Sequence, residues 1–205
     1  QLMFQIVQKI LCDSRLPEHI VDIIDFYVHF KPKTREELDD AIHLYYEDED
    51  EAIKKYGIIG TWNTNLINDM SELFIGCQYF DEDISDWDVS NVTNMKSMFD
   101  GCIYFNQPLN KWDVSNVTNM ESMFSVCWNF NQPLNNWNVS KVTNMSNMFH
   151  KCVFNQPLNN WDVGKVTDMS KMFFLCVNFN QSLNNWDVSN VTTMHCMFRG
   201  CFNFN

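Results

Sequence analysis

Leu109-Asn-Lys-Trp-Asp-Val-Ser-Asn-Val-Thr-Asn-Met-Glu-Ser-Met-Phe-Ser-Val-Cys-Trp-Asn-Phe130 is the unit from which most of this chain is made. Reduced to L-x-x-W-x-V-x-x-V-T-x-M-x-x-M-F-x-x-C-x-x-F, it recurs along the sequence at a nearly fixed interval. Trp62, Trp87, Trp112, Trp137, Trp161 and Trp186 follow one another at spacings of 25, 25, 25, 24 and 25 residues. Cys77, Cys102, Cys127, Cys152, Cys176 and Cys201 keep the same spacings. Six copies at this period predict a repeat array in which each copy stacks on its neighbours.

Within one copy, Leu109, Trp112 and Val114 follow the L-x-x-L-x-L spacing of a leucine-rich repeat. Side chains alternate faces in a strand, so a short strand over 110–114 turns Trp112 and Val114 inward and leaves Lys111 and Asp113 outside. After a turn at Ser115-Asn116, Thr118 suits a helix N-cap. Met120, Met123, Phe124 and Cys127 then fall at i, i+3, i+4 and i+7, the apolar stripe of a short helix. Pro133 brings the chain back toward the next strand without needing its missing N–H. The predicted class is therefore an α/β repeat solenoid, with one short parallel strand and one short helix per 25-residue repeat. A lone copy buries too little apolar surface to offset the ordering of its backbone, so only the stack is expected to be stable.

Three regions follow: a helical segment over 1–30, a helical cap or linker over 31–58, and the array over 59–205, whose sixth copy is incomplete. In the first region, Pro17 favours an opening helical turn. Ile20, Ile23, Ile24 and Tyr27 then make an amphipathic stripe. In the second, Thr34-Arg-Glu-Glu37 forms a capping box ahead of Leu38, Ala41, Ile42 and Tyr45. The unbroken acidic run Glu47 to Glu51 reads as a solvated helix face or loop, and Gly57 as a helix C-cap. The first copy, starting at Ile59-Gly-Thr-Trp62, is divergent, as a terminal copy packed on helices should be.

The formal net charge is −12, and the acidity is even: 13 acids against 7 bases in residues 1–60, and 13 against 7 in 61–205. That balance disfavours nucleic acid and anionic membranes as partners. No apolar run is long enough to span a bilayer, and the first twelve residues lack a basic segment and a small-residue cleavage site, so no membrane insertion is expected. With no export signal in view, an intracellular or virion-associated location is expected over secreted display.

The eight cysteines do not read as a disulfide framework. Six occupy one equivalent position per copy, and the copies are too far apart there for a disulfide, so a buried small hydrophobe is expected. Paired methionines such as Met95 and Met98 read as a core stripe, and the cysteines lack C-x-x-C spacing. No metal or cofactor is expected. His19, His29, His43, His150 and His195 are scattered, and His195-Cys196 has no third orienting group, so the chain is not expected to be an enzyme. The sequons at Asn91, Asn116, Asn138, Asn144 and Asn190 follow from the repeat itself.

The run W-D-V-S-N-V-T-N-M-x-x-M-F-x-x-C-x-x-F-N-Q-P-L-N, from Trp87 through Phe105 to Asn110, resembles the BspA-like leucine-rich-repeat family of mycoplasma lipoproteins and bacterial surface proteins. The lead-in from Phe30 to Gly57 is similar to segments that precede such arrays in algal and giant-DNA-virus relatives. The resemblance covers about residues 59–205. It implies a right-handed solenoid with a parallel sheet on one side and short helices on the other, and a role in protein binding or adhesion. Leu16-Pro17-Glu18-His19-Ile20 also resembles the opening of an F-box, whose helix binds a ubiquitin-ligase adaptor; the other reading of these residues is a helical cap.

Three functions are in contention: a protein-interaction or adhesion scaffold, a structural component of a virion or surface assembly, and an F-box-like ubiquitin-ligase substrate adaptor. All take protein partners, and the second includes self-association into a larger particle. For the scaffold, the outer face offers Asp86 and Asp88, Lys111 and Asp113, Asn136 and Asn138, Asn160 and Asp162, and Asn185 and Asp187. The row of Asp88, Asp113, Asp162 and Asp187, interrupted by Asn138, either receives a basic partner or caps local backbone N–H groups in Asx turns.

Overall fold

The computed structural model describes residues 30–205. The helix and the F-box-like stretch expected before residue 30 lie outside the described residues. Two helices open the described chain: α1 (Arg35–Glu47) and α2 (Glu49–Tyr56), followed by a single 3-10 turn, Ile59–Thr61. Thr34 caps α1 as its sequence position requires, accepting a hydrogen bond from the Glu37 N–H at 3.2 Å. Glu37 reaches back to the Lys33 N–H at 2.7 Å. The acidic run does not continue as one helix. Asp48 leaves the helical conformation, ends α1, and accepts the Glu51 N–H as the N-cap of α2. Leu38, Ala41 and Ile42 bury against the first coil of the array, and Phe30 and Tyr56 pack on Trp62.

Each 25-residue copy then makes one coil lying flat on the next. Inward and outward directions follow the sequence pattern: Trp112, Val114, Val117, Met120, Met123, Phe124 and Cys127 are buried, while Lys111 and Asp113 are exposed. The core is a set of columns. Phe74, Phe99, Phe124, Phe149, Phe173 and Phe198 stack with successive ring centroids 5.6–5.8 Å apart. Consecutive indoles such as Trp137 and Trp161 lie 6.5 Å apart and 2° from parallel. The indole N–H groups of Trp87, Trp112, Trp137, Trp161 and Trp186 each donate to a backbone carbonyl of the preceding coil, as Trp137 does to Leu109 at 2.9 Å.

The backbone inside a coil differs from the expected strand and helix. Residues 110–111 form a turn closed by the Trp112 N–H on the Leu109 carbonyl, and parallel pairing occurs as single bridges one residue beyond the threonine, from Asp69 through Asn94, Asn119, Asn144 and Asp168 to Thr193. The stretch read as a helix is a ladder of overlapping turns. In the third coil, Ser122 and Val126 take positive φ, and N–H groups alternate in their use. Those of Met123, Ser125 and Cys127 close turns within the coil. Those of Met120, Ser122, Phe124 and Val126 donate to Asn144, Ser146, Met148 and His150 of the next coil at 2.8–3.0 Å.

The reason is the destination of the donors. A helix would spend every N–H within its own segment, whereas this arrangement gives alternate N–H groups to a neighbour and so ties coil to coil. Left-handed conformations at non-glycine residues cost of order 1–3 kcal/mol each, and the inter-coil bonds they permit offset that cost. Apolar spacing cannot separate the two outcomes, because i, i+3, i+4, i+7 is buried in both. Thr118 correspondingly does not cap a helix. Its hydroxyl donates to the Thr93 carbonyl of the preceding coil at 3.0 Å, and Asn119 accepts the Glu121 N–H.

Among the described residues the cysteines are free thiols, and Cys102, Cys127, Cys152, Cys176 and Cys201 form a buried column, while Cys77 and Cys196 are partly exposed. Cys102 and Cys127 donate to the carbonyls of Phe74 and Phe99 in the preceding coil at 3.1 and 2.9 Å. The copy shortened by one residue at Val153 breaks this register: Cys152 turns to the carbonyls of Cys127 and Phe130 at 3.1 and 3.3 Å, and Cys176 to that of Phe154 at 3.3 Å. Burial pushes Cys102, Cys127 and Cys176 far up and Cys152 to about 12. Thiolates are therefore scarce at neutral pH, and access is closed. Iodoacetamide on the native protein is expected to leave Cys102, Cys127, Cys152 and Cys176 unlabelled and to alkylate them in denaturant. Peptide mass mapping checks this; alkylation of Cys127 under native conditions would contradict the packing described.

Candidate functional site

All ten residues of the expected outer face are exposed. Coils repeat about every 4.8 Å, so they form two rows running along the stack on either side of the tryptophan column. The structure assigns the inner-numbered and outer-numbered rows different partners. In one row, Asp86 meets Lys111 in an ion pair at 3.1 Å, Asn160 accepts no described side-chain donor other than Asn159, and Asn185 donates to the Asn159 carbonyl. In the other, every residue caps its own turn. Asp88, Asp113 and Asp187 accept the N–H of Ser90, Ser115 and Ser189 at 3.0 Å, Asn138 that of Ser140 at 3.2 Å, and Asp162 that of Gly164 at 3.1 Å.

Each of these caps uses Oδ1, which leaves the second carboxylate oxygen uncommitted along the row. Hydrogen bonds from Ser115 and Ser189 hold the Asp113 and Asp187 carboxyls below the usual range. A depressed carboxyl adds stability above its unfolded pKa, and that contribution disappears as falling pH protonates it, here below about pH 4. At neutral pH Asp113 and Asp187 are therefore charged. Asn135, Asn136, Trp137, Asn138, Asn160 and Asp162 line a shallow cleft midway along it.

The asparagine and glutamine ladders sit at the return to each coil and hold the chain there. Asn106 accepts the Asn131 N–H through its side chain at 3.0 Å, and its carbonyl accepts the Gln132 amide at 2.8 Å. Uniform rows of this kind have a structural occupation at every level of the stack.

A second surface has no counterpart among the expected site residues. The turn ladder carries side chains that change from coil to coil: Glu72, Ser97, Ser122, Asn147, Lys171 and Cys196 at one level position, Ile75, Asp100, Ser125, His150, Phe174 and Arg199 at another, all at least partly exposed except Ser97 and Ser125. The residue after each ladder cysteine varies too, as Gln78, Ile103, Trp128, Val153, Val177 and Phe202. Trp128 is 52% exposed, whereas the six ladder tryptophans are at most 9% exposed. His150 and Arg199 flank the Phe174 ring at 5.3 and 5.9 Å, and burial, then Lys151 and Lys171, lowers the His150 pKa. Aligning the copies column by column would have found this surface, because it is where they disagree.

Among the described residues, no group of three or more His, Cys, Asp or Glu side chains is placed to hold a metal ion, and no helix is long and apolar enough to cross a membrane. The sequence model of a family described as "Mycoplasma protein of unknown function, DUF285" matches the chain over residues 45–153 and 129–205. Neither a curated protein nor a solved structure matches it.

Proposed function

Because the chain belongs to the mycoplasma family of unknown function DUF285, we propose that it is a non-enzymatic protein-interaction scaffold of the BspA-like surface-repeat kind, built as an α/β solenoid of the leucine-rich-repeat class. Coil-to-coil hydrogen bonds and continuous ring columns support the solenoid reading. One observation carries the functional reading: carboxylates recur along one exposed row with Oδ1 fixed by a turn and Oδ2 free. Such a row is pre-organised, so a partner would lose little affinity to side-chain ordering. Its charge suits a basic segment, and long-range attraction would make association salt-sensitive.

Asn138 performs the same cap without charge, which gives a clean test. Asp113→Asn together with Asp162→Asn is expected to leave the melting temperature within about 2 °C, since each change keeps the cap. Binding of a lysine-rich peptide, followed by calorimetry at low salt, should weaken about tenfold or more. Equal binding by the double variant would overturn the reading. A structural role in a larger assembly is the second reading, and the uniformity of this face favours it, since a selective surface usually diversifies.

A further inference from the structure

We infer that the variable turn-ladder face is a self-association surface, on which a second copy of this chain docks antiparallel about a two-fold axis lying across the stack between the third and fourth coils. The charge order along the face points to it. Over residues 70–79, 95–104 and 120–129, which form its first three levels, the face carries Glu72, Asp100 and Glu121 against Lys96 alone. Over 145–153, 169–178 and 194–203 it carries Lys151, Lys171 and Arg199 and no acid. Lys96 is already engaged by Glu121 at 3.2 Å, while Lys151, Lys171 and Arg199 make no ion pair among the described residues. The face is thus acidic toward α1 and basic toward the far end, within a chain whose overall acidity is even.

A surface of that kind is complementary to itself only when reversed. Two parallel copies would set like charges together. A two-fold axis brings level one against level six, two against five, and three against four. Glu72 then faces the level of Arg199 and Asp100 that of Lys171, twice over, while Glu121, held by Lys96 and Asn144 of its own chain, lies at the level facing Lys151. The apolar groups follow the same order. Tyr79 and Tyr104 stack at 5.6 Å and are 73% and 50% exposed, and Phe202 is 82% exposed at the other end. Trp128 sits next to the axis, where the partner's Val153 level would cover it. A central aromatic anchor ringed by charges is the usual distribution of binding energy in protein interfaces.

Residues 1–205 in solution are expected to sediment as a dimer at about 100 µM and to dissociate as salt rises toward about 0.5 M, given the screening of exposed charges. Glu72→Lys with Glu121→Lys, and separately Lys151→Glu with Lys171→Glu, should each give monomers. Mixing the two variants should restore a dimer. Every change keeps an unbranched, exposed or half-exposed side chain, and circular dichroism of each variant reports its fold. Wild-type protein supplies a check that needs no variant: iodide quenching of the exposed indole should fall as concentration rises through the dimerisation range, because Trp128 becomes covered. A monomeric wild type would overturn the inference. So would a dimer indifferent to both charge reversals, a mixture that stays monomeric, or a dimer in which Trp128 remains as open to iodide as in the dilute protein.

Discussion

Phe124→Ala is expected to destabilise the protein by about 3–5 kcal/mol, the range for deleting a buried aromatic ring. The ring is fully buried and touches four others: Phe99 at 5.6 Å, Phe149 at 5.8 Å, Phe130 at 4.1 Å and Trp137 at 6.3 Å. Relaxation usually softens such a loss, but here the walls cannot close in. The rings above and below belong to coils whose spacing is set by hydrogen bonds on both sides, from the N–H groups of Met95, Ser97, Phe99 and Gly101 on one and of Met120, Ser122, Phe124 and Val126 on the other. The same substitution at Phe198 should cost about half as much in residues 1–205, because there that ring is only partly buried and stacks on Phe173 alone in its column. Urea unfolding of the two variants gives the comparison. Equal losses at the two sites would mean that ring burial alone sets the cost and that stacking on two sides adds nothing.

Removing whole coils tests the same organisation more severely. Deleting residues 114–138 takes out 25 residues and joins Asp113 to Val139, so every column stays in line. That variant is expected to fold, with one coil fewer and a denaturant m-value lower by about a sixth, since m follows the surface exposed on unfolding. Deleting residues 126–138 removes about half a period. Val139 would then have to occupy the level position of Val126, the thiol and indole columns would be interrupted, and the N–H groups of the third coil would face the wrong carbonyls. Loss of cooperative unfolding is expected for it. The two outcomes are read from circular dichroism and urea titration, and a half-period deletion that unfolds as cooperatively as the parent would contradict the coil-by-coil account.

What the sequence revealed and what it hid divide along one line. Directions were legible: Trp112, Val117, Met123 and Cys127 point inward because a fixed period leaves apolar positions nowhere else to go. Helix ends near Thr34 and Gly57 were legible too, since their chemistry is local. Backbone conformation in the coil was not. The spacing of Met120, Met123, Phe124 and Cys127 fits a helix as well as a turn ladder. The deciding demand, alternate donors for the following coil, is non-local and leaves no mark in apolar spacing. The Asp row was legible as a row, while its dual use, capping with one oxygen and exposing the other, needed coordinates. The cluster of His150, Lys151, Lys171 and Arg199 escaped because charge summed along the chain is even, and only stacking brings residues some 25 apart to one place.

Along the turn ladder, alternate backbone N–H groups all donate to the following coil, and this gives the stack a direction. Its first level is closed by the Arg35 guanidinium on the Asp69 carbonyl at 3.2 Å. A nascent polypeptide is released in that same order, so each emerging length finds a finished template already presenting hydrogens to its carbonyls. Synthesis from the capped end is therefore also the sequence of assembly, and a ribosome would lay this protein down much as thread is wound onto a bobbin.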